Sequence, residues 1–189
     1  MFSRQYIDKT FWVLFFTLIV VAIIALFSAG STLAYADPHS TLSPILKQIL
    51  FIVMGIGCAY LVQFVSTPWI RLGGYICLIV SWFMLLSMLI PGNPFVVYHN
   101  GAGRWLNLFG IEFQPSEITK LGLIIVVADL LARIRSKEDA KKYFFITLGI
   151  TVAVCLPVMT GNMSTAVLMA GIVFLMWFLA RLPWQYLVI

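Results

Sequence analysis

The sequence predicts an all-α fold, a polytopic transmembrane bundle of six helices. Three observations carry that expectation. The 189 residues are 62% hydrophobic and only 10% charged, with a mean hydropathy of +1.02, whereas soluble domains are about 25% charged. Apolar runs recur at close to the ~20 residues that a helix needs to cross the hydrocarbon core. Lys and Arg gather on alternate connecting segments, as they do in chains that weave through a bilayer.

The runs are taken in order, within a single membrane-embedded domain spanning residues 1–189. Residues 11–29 are uncharged and longer than the 7–15-residue core of a signal peptide, so they are expected to stay as a helix. GSTLAYADPHSTLSP, residues 30–44, is rich in turn formers and reads as a loop. Helices follow at about 45–65, with Lys47 at its edge, and at about 72–90. Residues 91–113 hold turn formers at both ends and read as a long loop. A fourth helix covers about 115–132, and the charged segment RIRSKEDAKK, 133–142, connects it onward.

From Tyr143 to Ala180 no charge occurs for 38 residues. A single helix of that length would extend about 57 Å, nearly twice the hydrocarbon core. It must fold back, and TGNMS (160–164) is the natural hinge, with Gly161 and Asn162 breaking the apolar pattern. The last two helices are therefore about 143–160 and 164–181.

With the N-terminus inside, Arg4, Lys9, Arg71, Arg133, Arg135, Lys137, Lys141, Lys142 and Arg181 face the cytoplasm, nine of the twelve Lys and Arg. Lys47 and Arg104 lie outside, and Lys120 lies within the fourth helix. The net charge of +5 thus reads as membrane anchoring rather than affinity for nucleic acid. Trp69, Trp105 and Trp184 fall near predicted interfaces, where indole rings anchor. Cys58, Cys77 and Cys155 sit inside apolar runs and read as small buried hydrophobes. His39 and His99 lie in loops without acids or thiols at ligand spacing, so no metal site is expected. Asn162-Met163-Ser164 matches a glycosylation sequon, a weak three-residue pattern.

The chemistry concentrates in FQPSEITK, 113–120. Pro115 suits the first helical position, which makes Gln114 the N-cap and puts Glu117 where a carboxylate complements the helix dipole. Lys120 opposes that dipole, about 7–8 Å into the helix. Glu117 and Lys120 are i, i+3 neighbours able to pair. Two readings stay open for them: a functional pair facing a cavity, or a structural pair with a snorkelling lysine. Arg104 with Trp105 on the same outer side is either a bidentate binder of phosphate or an ordinary interfacial anchor. Asp129 and Arg133 are i, i+4 and read as a helix-end salt bridge. Asp129 is about 18 Å along the axis from Glu117 and about 120° around it, so it belongs to no shared site.

The run Gly101-Ala102-Gly103-Arg104-Trp105-Leu106, followed by Phe113-Gln114-Pro115-Ser116-Glu117-Ile118-Thr119-Lys120, resembles the SEDS family (shape, elongation, division and sporulation) of bacterial peptidoglycan polymerases. The family pattern is close to G-A-x-R-W, a short gap, then Q-P-S-E-x-x-K. Phe27-Ser28-Ala29-Gly30-Ser31 fits the family's first helix end, and the likeness runs along essentially the whole chain, closer to the division-type than to the elongation-type branch. It departs at the hinge: where the family often reads Q-P-D-x-G-T-A, this sequence has Thr160-Gly161-Asn162-Met163-Ser164-Thr165-Ala166, which puts in doubt any role for a carboxylate at position 162.

The resemblance implies glycosyl transfer from lipid II, building glycan strands at the outer face of the cytoplasmic membrane during septal wall synthesis. It implies that Arg104, Trp105, Gln114, Ser116, Glu117 and Lys120 bind substrate or support the site, with Pro115, Gly161 and Asn162 as structural hinge positions. Family members have about ten helices, so this chain is expected to be the N-terminal part of one, with the catalytic aspartate in a later outer loop. No cofactor is evident. A divalent cation would suit the diphosphate, although no ligand cluster for one is visible. Implied partners are a class B penicillin-binding protein, other divisome membrane proteins and the lipid II substrate. A flippase of the lipid-linked precursor and a non-catalytic scaffold for a transpeptidase are the alternatives. The first needs intramembrane charges along a transport path, and the second needs no catalytic residue in the chain.

Overall fold

The structure, a computed structural model, describes residues 9–34, 42–90, 92–99, 102–108 and 111–182. Arg4, His39, Gly101 and Trp184 lie outside the described residues. The described residues form six helices and one three-stranded sheet: α1 (Lys9–Ala34), α2 (Leu42–Val62), α3 (Thr67–Met88), β1 (Val96–His99), β2 (Ala102–Leu108), β3 (Ile111–Phe113), α4 (Pro115–Leu131), α5 (Lys137–Gly161) and α6 (Met163–Leu179). The chain divides into two compact units, Met1–Val65 and Ser66–Ile189. α1 and α2 make up the first. Their apolar side chains are largely exposed, among them Leu14, Leu18, Phe51 and Leu61, as lipid-facing surface requires. α3 and α5 are each long and apolar enough to cross a membrane.

The helix ends differ from the sequence expectation where capping outweighs hydropathy. α3 begins at Thr67 with Pro68 in its first turn, earlier than the apolar run suggests, because proline is well placed there. α5 starts within the charged segment: Ser136 accepts from Asp139 N–H at 3.1 Å, and the Asp139 carboxylate accepts from Ser136 N–H at 3.2 Å. This capping box makes residues 137–142 the first turns of the helix rather than a loop. α1 runs through Gly30 to Ala34.

The larger correction concerns 91–113. In place of a loop, most of its described residues form an antiparallel sheet in the order β1-β2-β3. Its strands of three to seven residues are too short to show a period, and Gly and Asn obscured the rest.

In the second unit the core gathers α3, α4, α5 and α6 around Leu78, Leu123, Val126, Val127, Val154, Val158, Met169 and Val173. α3 and α4 meet closely through two glycines. A Cβ on Gly122 would lie 2.7 Å from the Leu78 backbone nitrogen, and one on Gly74 would collide with the Ile125 side chain. Small residues at such seams let helices approach where lipid offers no hydrophobic drive. Buried hydroxyls return to their own helices: Thr119 donates to Pro115 O at 2.9 Å, and Thr151 to Thr147 O at 2.7 Å. Trp177 on α6 donates to Thr147 Oγ1 at 2.9 Å and packs against Phe144 with ring centroids 4.8 Å apart. Of the three cysteines only Cys155 is buried. Cys58 and Cys77, expected to be buried, are exposed on apolar helices.

At the basic end of this unit Asp129 does more than the expected helix-end bridge. Its buried carboxylate accepts from Arg133 at 2.6 Å, from Arg71 Nε on α3 at 2.6 Å and from Tyr75 Oη at 3.1 Å. Asp129 holds the Arg133 guanidinium above its ordinary range. Spacing along α4 could reveal Arg133, but Arg71 and Tyr75 come from another helix.

Candidate functional site

At the opposite end of the same unit, β2, the start of α4 and the α5–α6 hinge converge. β1 pairs Val97 with Trp105 and then Tyr98 with Gly103, so Arg104 is the extra residue of a β-bulge and faces no partner on β1. A bulge re-aims the side chain that it carries. Gly103 beside it has no room for a side chain, since a Cβ there would lie 2.9 Å from both Tyr98 and Val96. Arg104 turns toward the hinge, where its Nε donates to Gly161 O at 2.5 Å. Gly161 is tight too: a Cβ would meet Gly103 O at 3.0 Å.

α4 starts as its sequence directs. Gln114 occupies the N-cap in an extended conformation and Pro115 opens the helix. The Gln114 side chain donates to Ser116 Oγ at 2.8 Å, and Pro115 and Ser116 are buried. Lys120 Nζ donates to both carboxylate oxygens of Glu117, at 3.0 and 2.8 Å. The lysine side chain is 22% exposed and the glutamate 58%. Ser116 and Lys120 are four residues apart and share a helix face, so Lys120 lies one turn below Ser116. Across the site Asn162 ends α5 and caps α6, its Oδ1 accepting from Thr165 N–H at 3.1 Å.

These pieces enclose a cleft of about 40 Å³, lined by Arg104, Gln114, Ser116, Thr160, Gly161 and Asn162, with Leu85 and Met88 of α3 at its apolar side. That volume holds only about one to three waters. The structure therefore brings together Arg104, Gln114, Ser116, Gly161 and Asn162 from three distant stretches. Glu117, Lys120 and Trp105 do not line the cleft. Thr160, the first residue of the TGNMS hinge, also joins it. Among the described residues no three His, Cys, Asp or Glu converge as metal ligands would. Chemically, the cleft offers a guanidinium, a side-chain amide and a hydroxyl at a helix N-terminus, a set suited to an anion with sugar-like hydroxyls.

Known proteins share the sequence and the fold of this chain. A curated relative from Saccharophagus degradans, named as a probable peptidoglycan glycosyltransferase FtsW, is 32% identical over 170 residues, covering 88% of this chain and 43% of the relative. A second of the same name from Synechocystis is 30% identical over 184 residues, covering 93% of this chain and 44% of the relative. The chain thus spans less than half the length of these relatives. Among solved structures, the rod shape determining protein RodA of Thermus thermophilus superposes with a TM-score of 0.65 at 26% identity, covering 91% of this chain and 55% of that one. A chain of a peptidoglycan synthase complex, from a structure concerned with coordinated polymerization and crosslinking, matches with a TM-score of 0.66 at 25% identity, covering 89% of this chain and 48% of its own. The family model described as cell cycle protein, which unites FtsW, RodA and SpoVE, matches residues 8–189. With six helices among its described residues and with apolar, exposed helix faces, this chain belongs to the FtsW/RodA/SpoVE family of integral membrane proteins.

Proposed function

We propose that the protein serves in polymerising glycan strands from lipid II during septal peptidoglycan synthesis, and that the cleft around Arg104 holds part of the diphosphate-linked substrate. The observation that carries this reading is the bulge. It takes Arg104 out of the strand ladder and sets it over the N-terminus of α4, beside Gln114 and Ser116. Leaving diphosphate gathers negative charge as the glycosidic bond breaks. Fixed cations and helix-terminal amides stabilise that charge because they are oriented before the reaction begins. Arg104 would grip a phosphate through its terminal nitrogens while Nε stays on Gly161. Lys120, restrained by Glu117, would supply a second cation one turn deeper. Removing the acceptor hydroxyl's proton needs a base, and that role is assigned to no residue of this chain.

The charge pattern supports an orientation. Arg71, Arg133 and the basic residues at 135–142 lie at the Asp129 end of the unit, opposite the cleft. By the positive-inside rule, the cleft then faces the outer leaflet and the N-terminus is cytoplasmic. One similar chain belongs to a peptidoglycan synthase complex that couples polymerization to crosslinking, which supports a crosslinking partner, in our reading a class B penicillin-binding protein. The test is lipid II polymerisation by the complete protein with Arg104→Gln, Glu117→Ala and Lys120→Ala. Losses of about 10-fold or more are expected, since each removes a charge-assisted contact. Wild-type turnover in all three would overturn the assignment.

A further inference from the structure

α5 contains one proline, Pro157. Proline has no N–H, so the Ala153 carbonyl four residues earlier loses its helical donor. Trp82 on α3 fills the gap: its Nε1–H donates to Ala153 O at 3.0 Å. The part of α5 beyond the proline is what reaches the cleft. Pro157, Val158, Thr160 and Gly161 line it, and Gly161 O holds Arg104. Arg104 has no opposite residue on β1. Its placement therefore depends on where that last turn of α5 points.

We infer that Trp82 is a positioning residue for Arg104. Its indole N–H replaces the helix bond that Pro157 removes, which fixes the direction of the final α5 turn. The Gly161 carbonyl then meets the bulged arginine at one distance and angle. Without that donor, the open carbonyl would draw in water or bend the helix at the proline, and Gly161 would shift with it. The structural half of this inference stands by itself, while its consequence for turnover rests on the diphosphate reading of Arg104.

A plain staple between α3 and α5 would behave differently, because its loss would be indifferent to residue 157 and to Arg104. The experiment uses the complete protein in detergent, as wild type, Trp82→Phe, Pro157→Ala and the double variant. It reads amide exchange at 103–105 and 158–161, and the rate at which phenylglyoxal modifies Arg104 with and without inorganic pyrophosphate. Trp82→Phe is expected to raise both rates about 2- to 10-fold, the size of one lost hydrogen bond. In the double variant, the backbone N–H restored at position 157 takes the Ala153 carbonyl, and both rates return to within about 2-fold of the Pro157→Ala parent. Unchanged rates at Arg104 in Trp82→Phe, or no rescue in a folded double variant, would overturn the inference.

If Pro157→Ala does not fold, Arg104→Lys supplies the second cycle. Lacking Nε, it should make Trp82→Phe silent in lipid II turnover, and an undiminished effect of Trp82→Phe in that background counts against positioning. Expected exchange rates combined with normal turnover of Arg104→Gln would keep the inference and remove the proposed function. An inactive Arg104→Gln with undisturbed exchange in Trp82→Phe would do the reverse.

Discussion

The Arg104 Nε–H meets the Gly161 carbonyl at 2.5 Å across 57 residues of sequence. Nε serves the protein and the two terminal nitrogens point the charge elsewhere, a division that lysine cannot reproduce because its single ammonium must do both. Arg104→Lys is therefore expected to keep the net charge but lose about 10- to 100-fold in polymerisation rate. Rates equal to wild type would show that charge alone suffices.

Asn162 offers a second prediction. It caps α6 through Thr165 N–H, a role in which Asp serves equally well. Asn162→Ala should cost about 1 kcal/mol of stability. Asn162→Asp should melt at or above the wild-type temperature, because a carboxylate also complements the helix dipole. A clear drop in Tm for the aspartate variant would mean that the cleft rejects negative charge.

The α3–α4 seam gives a third. A methyl on Gly122 meets backbone, at 2.7 Å from Leu78 N, so no side chain can swing aside to admit it. Gly122→Ala is expected to destabilise by about 1–3 kcal/mol, the range for overpacking. Gly149, where an added methyl would find nothing within 4 Å, is the control. Gly149→Ala should melt no lower than wild type, since alanine favours helix over glycine.

Asp129→Asn tests the basic end. It removes the negative charge and one of the two acceptor oxygens shared by Arg71, Arg133 and Tyr75. Both guanidiniums are about half exposed, so solvent screens much of the loss and about 1–3 kcal/mol is expected. Combining it with Arg71→Gln should cost less than the sum of the two, because the pair is already broken. Strict additivity in thermal melts would refute the shared node.

The helices were legible because each carries an apolar run, and the fold-back at Gly161-Asn162 followed from the length of the last run together with the Gly and Asn that break its pattern. The Glu117–Lys120 pair was equally readable, since i, i+3 spacing on a helix decides proximity. Other features were hidden for identifiable reasons. Arg71 and Asp129 lie 58 positions apart, and Trp82 and Ala153 lie 71 apart, so no local period could join them. The sheet escaped because a bulge spoils the alternation that would announce a strand. The motif gathered Arg104, Glu117 and Lys120 into one list, yet the structure sorts them: the arginine belongs with the hinge, and the acid and lysine with each other.

The bulge at Arg104 also governs how β2 tolerates changes in length. Side chains along a strand alternate between faces, so removing any one residue from a regular ladder inverts everything beyond the cut. β2 already carries one residue more than β1 opposes. Deleting Arg104 would therefore leave a straight, fully paired hairpin in which Gly103 and Trp105 become neighbours and the register on either side survives. Such a chain would keep its fold and lose only the one side chain that the sheet was built to eject.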